Sequence, residues 1–489
     1  MSIARSIKAA FRSLGFQSVH HGLEAHVDGA AYKKGDVIGG AYVVKGILGV
    51  GGFSVVYLVE RKESGALHAL KTLRDEYLRD AETRDLFRKE ARVWVGLDRH
   101  PNIVRADFIQ ELSGRLYIGM EYVEPDEKGR NSLAGYLSTS PPDLAQALRW
   151  CIQFCHGMEY ARSRGIRCHR DVKPENIMIS REKTVRITDF GFAGVIEHVR
   201  AGVSLPQRRR SVPKSGFGTP AYMPPEQFQN ASRCDERSDI YSLGIVMYQM
   251  VSRGRFPFAL RGRHSVKNYW NDMHRLHSEG RVPSLASPLF PIIERCLQKE
   301  PNKRYQSFAE LRADLDALLK RETGGVEKAG AAMSLASWEL YNKAYSLSNL
   351  GHLEEAIAWY DKALDADPKN ADAWNNKGAC QLKLGQSEKA VESFRRALVC
   401  DTQNAAALRN LGSGLSALGR FSEALEALKK AATLEPSNEA VWLNIGRIAE
   451  RLGRKSDALS AFKSYLDKHP QGAHAEYARG RIKTLLASN

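Results

Sequence analysis

The stretch "CHRDVKPEN", Cys168–Asn176, places three chemically different groups within six residues. Asp171 carries a carboxylate that can accept a proton, Lys173 carries an ammonium that can hold an anion, and Asn176 carries an amide oxygen that can ligate a hard cation. Pro174 stiffens the backbone between the lysine and the amide. Polar residues around a proline are also the usual composition of an exposed turn. The interpretation therefore depends on whether the rest of the chain supplies complementary parts.

A glycine-rich stretch, "GVGGFSVVY", runs from Gly49 to Tyr57 between two predicted strands. Glycines let backbone amides close over phosphates, although the tip of a flexible hairpin has the same composition. Lys71 follows on the next predicted strand, where it can pair with the α- and β-phosphates, and Glu90 lies on the following predicted helix, where it can orient Lys71. This order of glycine loop, strand lysine and helix glutamate argues against an accidental surface ion pair.

The stretch "ITDFG", Ile187–Gly191, follows the opening stretch by the length of one hairpin. Asp189 in it is positioned to hold a magnesium ion that bridges two phosphates. Phosphoryl transfer from a nucleotide–magnesium complex needs these parts together: a base, a phosphate-binding lysine and metal ligands. Three further stretches complete the order: "GTPAYMPPE" (Gly218–Glu226), "SDIYSLG" (Ser238–Gly244) and "CLQKEPNKRY" (Cys296–Tyr305).

With these motifs in this order, residues of about 42–320 resemble a eukaryotic-like (Hanks-type) bacterial serine/threonine protein kinase domain. The resemblance implies an α+β bilobal protein-kinase fold, with a small strand-rich lobe before a larger helical one. It also implies transfer of the γ-phosphate of ATP to Ser or Thr hydroxyls of protein substrates. Lys173 and Thr219 resemble serine/threonine kinases rather than tyrosine kinases. The implied cofactors are ATP and Mg²⁺, with Mn²⁺ as an alternative.

The resemblance also implies a role for each site residue. The implied catalytic residues are Lys71, Glu90, Asp171 and Lys173, and the implied metal ligands are Asn176 and Asp189. The implied ATP-binding residues are Leu48, Gly49, Val50, Gly51, Gly52, Phe53, Ser54, Val56, Lys71, Glu121 and Val123. Met120 is the implied gatekeeper, and Glu121–Val123 is the implied adenine-binding segment. Glu226 is expected to pair with Arg304, and Asp239 to hold the catalytic loop. Two departures from the family pattern are Ser54, in place of the third loop glycine, and Pro224, in place of the alanine before Pro225 and Glu226.

The segment from Asp189 to Glu226 contains Arg208–Arg210 immediately before Ser211. A solvated basic loop would have this composition. The alternative is an activation loop in which phosphorylated Ser211, with Ser215 as a secondary site, pairs with Arg170. Thr219 is expected to contact Asp171. Mapping of phosphates by mass spectrometry would distinguish the two interpretations.

The second half of the chain repeats with a period of 34 residues. A turn glycine, an alanine, a large apolar residue and a helix-ending position all keep this step. They are Gly351, Gly385, Gly419 and Gly453; Ala356, Ala390, Ala424 and Ala458; Tyr360, Phe394, Leu428 and Phe462; and Pro368, Thr402, Pro436 and Pro470. The pattern resembles tetratricopeptide repeats and implies an all-α solenoid of four repeats plus a capping helix, with a groove that binds a protein or peptide partner.

These motifs predict four segments in the 489-residue chain. Residues 1–41 form an N-terminal extension, residues 42–320 the kinase-like domain, residues 321–336 a linker and residues 337–489 the repeat domain. The linker is predicted from its small, Gly/Ala-rich composition.

Composition predicts a cytoplasmic protein. No apolar run approaches the roughly 20 residues that span a bilayer, and no secretory signal is visible. Seven cysteines without a CxxC pair suggest a reducing compartment. The net charge of +16 lies mainly in the first half. A basic surface favours nucleic acid, anionic lipid or acidic proteins, but a nucleotide-using enzyme also has such a balance, and no nucleic acid partner is expected.

Two other functions and one alternative role for the N-terminus remain open at this stage. A scaffold could use the same fold only to bind nucleotide, and a small-molecule kinase of the aminoglycoside or choline type could share the phosphate-binding parts. The "GTPAYMPPE" stretch and Arg304 speak against the second, because they build a peptide-binding platform. Ile3, Ile7, Phe11 and Leu14 share one helical face, so a weak membrane contact is an alternative to packing on the protein itself.

Overall fold

The computed structural model describes residues 30–190, 220–230, 233–260, 266–327 and 335–487. The chain divides into two compact units, residues 1–334 and 335–489.

The first unit begins with a six-stranded antiparallel sheet in the order β1-β2-β3-β4-β6-β5. The strands are β1 (Val37–Ile38), β2 (Tyr42–Val50), β3 (Ser54–Arg61), β4 (Leu67–Leu73), β5 (Ala106–Leu112) and β6 (Arg115–Glu121). Along β3, the alternating residues Val55, Tyr57 and Val59 are fully buried in one apolar cluster. This period of two packs one face of the sheet.

Part of the predicted extension packs on this sheet: Val37–Ile38 form β1, and Ala30 and Tyr32 contact its apolar cluster. Ile38 pairs with Tyr42 across the β1–β2 hairpin and is buried in the same apolar cluster. The backbone amide of Ala31 donates a hydrogen bond to the Tyr57 hydroxyl at 2.9 Å. A two-residue strand has too little alternation to be recognised in a sequence, so β1 was not predicted. Residues 1–29, including the proposed membrane-contacting face, lie outside the described residues.

The rest of the first unit is mainly helical, so the predicted small strand-rich lobe and larger helical lobe are confirmed. Helix α1 (Ala81–Gly96) follows β4, and Asp80 caps it by accepting a hydrogen bond from the Thr83 amide at 2.9 Å. The later helices are α2 (Leu133–Thr139), α3 (Leu144–Ser163), α4 (Pro225–Gln229), α5 (Glu236–Val251), α6 (Val266–Glu279), α7 (Phe290–Cys296) and α8 (Phe308–Thr323).

Helices α3 and α5 form the centre of the helical lobe. Cys151 and Cys155 are buried on α3 as free thiols. On α5, the stretch from Ser238 to Met250 is buried on all sides, as is typical of a core helix. No helix in the described part of the chain is long and apolar enough to cross a bilayer.

A two-stranded hairpin, β7 (Ile177–Ile179) and β8 (Val185–Ile187), lies between α3 and the site residue Asp189. Ile187 exchanges backbone hydrogen bonds with the segment that follows α1: its amide donates to the Asn102 carbonyl at 2.9 Å, and its carbonyl accepts from the Val104 amide at 2.9 Å. These bonds fix β8 against the base of the strand-rich lobe.

The segment predicted as a linker begins with the last turn of helix α8. Helix α8 continues three residues past residue 320 and ends at Gly324, whose φ of 67° closes the helix. The next residues are ordered, because the Glu327 carboxylate accepts hydrogen bonds from Arg149 at 3.1 Å and Gln153 at 2.7 Å on α3. Residues 328–334 lie outside the described part of the chain.

The second unit consists of four helix pairs and one further helix, as the 34-residue period predicted. The helices are α9 (Ser337–Asn349), α10 (Leu353–Ala366), α11 (Ala371–Lys383), α12 (Ser387–Cys400), α13 (Ala405–Ala417), α14 (Phe421–Leu434), α15 (Glu439–Arg451), α16 (Lys455–Lys468) and α17 (Ala475–Ala487). The four periodic glycines have φ values of 69–87° in the turns between paired helices. The periodic alanines and large apolar residues are all fully buried.

A second set of glycines, within the first helices of the repeats, was not singled out from the sequence. A β-carbon on Gly378, Gly412 or Gly446 would lie 2.5–2.6 Å from the large apolar residue on the second helix of the same repeat. The absence of a side chain at these positions therefore lets the paired helices of these three repeats approach closely.

We predict that Gly446→Ala lowers the stability of the repeat unit by about 1–2 kcal/mol. The added methyl group would lie 2.5 Å from the Phe462 ring, and overpacking of this kind costs about 1–3 kcal/mol, of which a better helix propensity returns about 0.5–1. Calorimetry of the full chain measures the change in the repeat unit's transition.

Gly480→Ala is the matched control. Gly480 is exposed within α17, and a β-carbon there meets nothing within 4 Å. This substitution should raise the stability by about 0.5–1 kcal/mol. If both alanines stabilised the unit equally, the proposed close contact at Gly446 would be wrong.

Candidate active site

Two buried charges, Lys71 and Glu90, meet the partly buried Asp189 between the two lobes. Lys71, on β4, has only 1% of its side chain exposed. Its ammonium donates to Glu90 Oε1 on α1 at 2.7 Å and to Asp189 Oδ1, beyond β8, at 2.8 Å. Burial alone would lower the pKa of Lys71, but the two carboxylates more than offset this and raise it. The same ammonium lowers the pKa of Asp189 against the opposing effect of burial. Lys71 and Asp189 are therefore both charged.

A second group of polar side chains surrounds Asp171 in the segment between α3 and β7. Asp171 Oδ2 accepts hydrogen bonds from Lys173 Nζ at 2.7 Å and Asn176 Nδ2 at 2.9 Å. Pro174–Asn176 form a 3-10 turn that brings the amide back toward the carboxylate. Because its nitrogen faces Asp171, the oxygen of the Asn176 amide points away from the carboxylate.

Buried groups hold the backbone of this segment. The fully buried carboxylate of Asp239 accepts from the His169 amide at 2.6 Å and the Arg170 amide at 2.8 Å. Phe190 is buried between the rings of His169 and Trp94. Arg170 and Asp189 have φ values of 66° and 63°, which side chains with a β-carbon rarely adopt. The structure therefore maintains strained backbone at two site residues.

The oxygen donors are suited to a hard divalent cation. The Thr188 amide donates to the Asn176 carbonyl at 3.1 Å, which brings the segments carrying Asn176 and Asp189 together. The described residues contain no group of three His, Cys, Asp or Glu side chains that could hold a metal alone. Mg²⁺ typically takes one or two protein oxygens and completes its shell with water and phosphate oxygens. One carboxylate and one amide oxygen fit such a cation shared with phosphates.

The predicted phosphate-binding loop is the β2–β3 hairpin. Leu48, Gly49 and Val50 end β2, Ser54 and Val56 lie on β3, and Gly51, Gly52 and Phe53 form the turn. The Arg74 guanidinium donates to the carbonyl oxygens of Gly51 and Gly52, both at 3.3 Å. Sequence reasoning missed Arg74, because a single arginine after a strand has no distinguishing pattern.

The predicted adenine-binding segment begins where β6 ends at Glu121. Met120 and Val123 are buried. The buried Asn131 side chain donates to the Val123 carbonyl at 2.9 Å, whereas the Val123 amide has no hydrogen-bond partner within the described residues. That amide is available to a ligand. Asn131 was not predicted from the sequence.

The expected Glu226–Arg304 pair is present and buried. Arg304, with 0% of its side chain exposed, donates to both Glu226 oxygens, at 2.7 and 2.9 Å. It also donates to the Gln298 carbonyl at 2.8 Å, and Ser238 Oγ donates to Glu226 at 2.7 Å. Burial alone would raise the pKa of Glu226, but Arg304 more than offsets this and lowers it. The pair connects α4 to the segment before α8.

The predicted regulatory residues are only partly covered. Ser211, Ser215 and Thr219 lie outside the described residues. Arg170 is described, and its Nε is buried without a hydrogen-bond partner among the described residues.

A six-stranded lobe, a helical lobe and a buried Lys–Glu–Asp group between them define a kinase-like class of nucleotide-binding protein. The chain belongs to the protein kinase domain family, whose model matches residues 42–314. Tetratricopeptide repeat models match residues 341–405 and 409–473.

Curated relatives agree with this assignment. The chain is 31% identical over 320 residues to a probable serine/threonine-protein kinase of Streptomyces coelicolor, covering 62% of this chain and 44% of the relative. It is 33% identical to serine/threonine-protein kinase pkn2 of Myxococcus xanthus, covering 56% of this chain and 32% of the relative. It is 35% identical to serine/threonine-protein kinase PknB of Mycobacterium tuberculosis, covering 56% of this chain and 42% of the relative. The chain therefore spans less than half the length of these relatives.

We predict that Arg304→Met lowers the stability of the kinase unit by about 3–5 kcal/mol, because it leaves the buried Glu226 carboxylate without its cation. The loss should shrink as the pH falls from 7 toward 4.5. In the wild type, the pKa of Glu226 is lowered from 4.5, so its stabilising contribution is kept down to about pH 4.5 and declines only below it. In the variant, an unpaired buried carboxylate has a raised pKa, so protonation relieves the penalty. Urea denaturation at several pH values measures both effects.

Lys303→Met is the control at the neighbouring position. Lys303 forms an exposed ion pair with Glu300 at 2.7 Å, and its loss should change the stability by less than about 0.5 kcal/mol. Equal losses in the two variants would contradict the buried-pair interpretation.

Proposed function

We propose that this protein is a cytoplasmic, ATP-dependent serine/threonine protein kinase. The observation that carries the proposal is the shared contact of Lys71 with Glu90 and Asp189, beside an Asp171 carboxylate held by Lys173 and Asn176. All five expected side chains are present in contacts that suit phosphoryl transfer. The names of the relatives support the same activity.

In the proposed reaction, the hydroxyl oxygen of a substrate serine or threonine forms a bond to the γ-phosphorus of ATP. The bond from that phosphorus to the bridging oxygen breaks, and ADP leaves. Asp171 accepts the hydroxyl proton, since its carboxylate is held in place by two donors. Lys173 lies 2.7 Å from that carboxylate and stabilises negative charge on the transferring group. Lys71 holds the phosphates that stay with ADP.

We propose Mg²⁺ as the working cation, with Asn176 and Asp189 as its protein ligands. When bound, the cation neutralises phosphate charge and orients the γ-phosphate for transfer. Mn²⁺ also accepts oxygen ligands. Activity measured at equal concentrations of the two chlorides tests the preference, and higher activity with Mn²⁺ would contradict it.

Two alternative functions are less well supported. A scaffold that only binds nucleotide would not need a base, yet Asp171 is held by Lys173 and Asn176 in an arrangement that suits proton transfer. A small-molecule kinase would not need the buried Glu226–Arg304 pair, which supports a platform for peptide substrates. Phosphate transfer to a protein separates both alternatives from the proposed function.

We predict that Asp171→Ala lowers kcat for phosphorylation of a generic protein substrate by about 10²–10⁴-fold, because the general base is lost. Its affinity for ADP should stay within about threefold, since the carboxylate acts on the substrate hydroxyl. Lys71→Met should abolish measurable transfer, because Glu90 and Asp189 lose their shared cation. Transfer of labelled phosphate from ATP with Mg²⁺ measures kcat, and calorimetric titration with ADP measures affinity.

Lys45→Met is the control for loss of a lysine in the same lobe. Lys45 pairs with Glu60 at 2.9 Å on the partly exposed surface of β2 and β3. It should retain activity within about twofold, because exposed pairs contribute little. Near-normal transfer by either Lys71→Met or Asp171→Ala would overturn the proposed function.

The repeats are proposed to recruit a protein partner or substrate. Hydrogen bonds join the first helices of successive repeats: Asn376 donates to the Tyr341 hydroxyl at 2.9 Å, and Asn410 donates to Asn375 at 2.9 Å. Asn375 is buried, whereas Tyr341, Asn376 and Asn410 are partly exposed and support a polar binding surface along α9, α11 and α13.

We predict that a chain ending at residue 334 phosphorylates a generic peptide with kcat and KM within about threefold of the full chain. The division into two compact units supports independent folding. The shortened kinase should nevertheless modify fewer cellular proteins, because recruitment raises the effective substrate concentration. Quantitative phosphoproteomics compares the two forms. An unchanged set of cellular substrates would contradict recruitment by the repeats.

A further inference from the structure

We propose that Arg186 is a positioning residue for the nucleotide, because it ties the adenine-binding segment to the strand that carries Asp189 toward the phosphates. The inference rests on the proposed kinase function. Its central observation is that Arg186 Nη1, on β8, lies 2.6 Å from both carboxylate oxygens of Glu121, at the end of β6.

Glu121 is held from the side of the strand-rich lobe as well. Its backbone amide donates to the Arg105 carbonyl at 3.0 Å, and its carboxylate accepts from the Arg105 amide at 3.0 Å. The Arg105 guanidinium contacts Asp107, which also lies 3.1 Å from His68 Nδ1. The Glu121 carboxylate is therefore the point at which a polar network of the strand-rich lobe meets β8.

Arg186 is held on a strand with little freedom to move. On one side of it, the Val185 carbonyl accepts from Asn102 Nδ2 at 3.1 Å, and the Val185 amide donates to Gln153 at 2.8 Å. On the other side, both backbone groups of Ile187 are bonded to the segment after α1. The hydrogen bonds of Val185 and Ile187 therefore fix the position of the backbone at Arg186.

The same strand leads directly to the phosphate-binding group. Asp189 follows Arg186 by three residues, roughly 10 Å along an extended chain. It contacts Lys71 at 2.8 Å. The Arg186–Glu121 pair therefore joins the two ends of the proposed nucleotide site: the segment for adenine and the aspartate for the phosphate-bound cation. We infer that both ends are correctly spaced only when this pair is formed.

The geometry also predicts which substitutions are tolerated. Arg186 contacts Glu121 through one nitrogen, whereas its buried Nε has no hydrogen-bond partner among the described residues. A lysine can make the same single-nitrogen contact without that buried orphan donor. Arg186→Lys should therefore preserve nucleotide binding, whereas Arg186→Gln should not.

The test uses the full chain and two readouts, KM for ATP with Mg²⁺ and the dissociation constant of ADP. We expect Arg186→Gln to raise both by about five- to tenfold while kcat stays within about threefold, because the loss is in nucleotide positioning rather than in proton transfer. Arg186→Lys should stay within about twofold of the wild type. The double variant Arg186→Gln/Glu121→Gln should be no worse than the poorer single variant, because both remove one interaction.

Arg181→Gln is the matched control. Arg181 lies on the turn between β7 and β8 and pairs with Glu124 at 3.0 Å, just after the adenine-binding segment. That pair joins the same two regions, but both side chains are more than half exposed. Arg181→Gln should therefore change KM for ATP by less than about twofold. A purely structural role would lower the melting temperature and kcat together and would not be rescued by lysine.

Unchanged KM and ADP affinity in Arg186→Gln, with an active wild type, would overturn the inference. So would a Lys variant as poor as the Gln variant. If Arg186→Gln does not fold, Glu121→Gln tests the same pair, and unchanged nucleotide affinity in it would have the same meaning. A wild type that binds ADP but transfers no phosphate would instead overturn the proposed function, while the ADP measurements would still decide the role of Arg186.

Discussion

The buried ammonium of Lys71 is the constraint on which the kinase unit depends. A cation with 1% exposure is tolerated only where anions compensate it, and removal of one partner of a buried pair costs about 3–5 kcal/mol. Its two partners come from different elements: Glu90 from α1 and Asp189 from the end of β8. The sheet, the helix and the helical lobe must therefore be in register at the same time. A partial rotation of α1 would separate Glu90 from Lys71 and leave two buried charges without each other as partners, which costs more than lengthening one hydrogen bond.

Buried polar contacts and packing also maintain the strained backbone at the site. Arg170 and Asp189 have positive φ values, and each costs of order 1–3 kcal/mol unless its surroundings determine it. Asp239 binds the backbone at Arg170, whereas Lys71 and the packing of Phe190 hold Asp189. The core of the helical lobe thus compensates for a conformation that the site needs. For this reason Asp239, although it touches no expected substrate, belongs to the site.

Sequence reasoning succeeded where the chemistry is compact in the chain or periodic. Asp171, Lys173 and Asn176 lie within six residues and form one hydrogen-bonded group, and the 34-residue period predicted every helix pair of the second unit. It failed where one long side chain crosses between distant segments. Arg186 reaches Glu121 across 65 residues, and neither residue belongs to a pattern that announces the pair. The short strand at Val37–Ile38 was missed for a different reason, because two residues carry no measurable alternation.

The repeats show how small sequence differences change a periodic structure. The sixth residue of the first helix is asparagine in all four repeats: Asn342, Asn376, Asn410 and Asn444. Asn376 and Asn410 each bond to the residue that lies 35 positions earlier, Tyr341 and Asn375, because a phenol and an amide can accept a hydrogen bond.

The residue 35 positions before Asn444 is Arg409, which has no acceptor, and no hydrogen bond joins these two within the described residues. Arg409 instead lies 3.6 Å from Glu435. The fourth repeat is therefore attached to the third by apolar packing, as at Val441 and Ile445, and by exposed ion pairs such as Lys429–Asp457. Since exposed pairs contribute little, the polar connection between first helices ends at the third repeat, and the last helix pair depends chiefly on its buried apolar face.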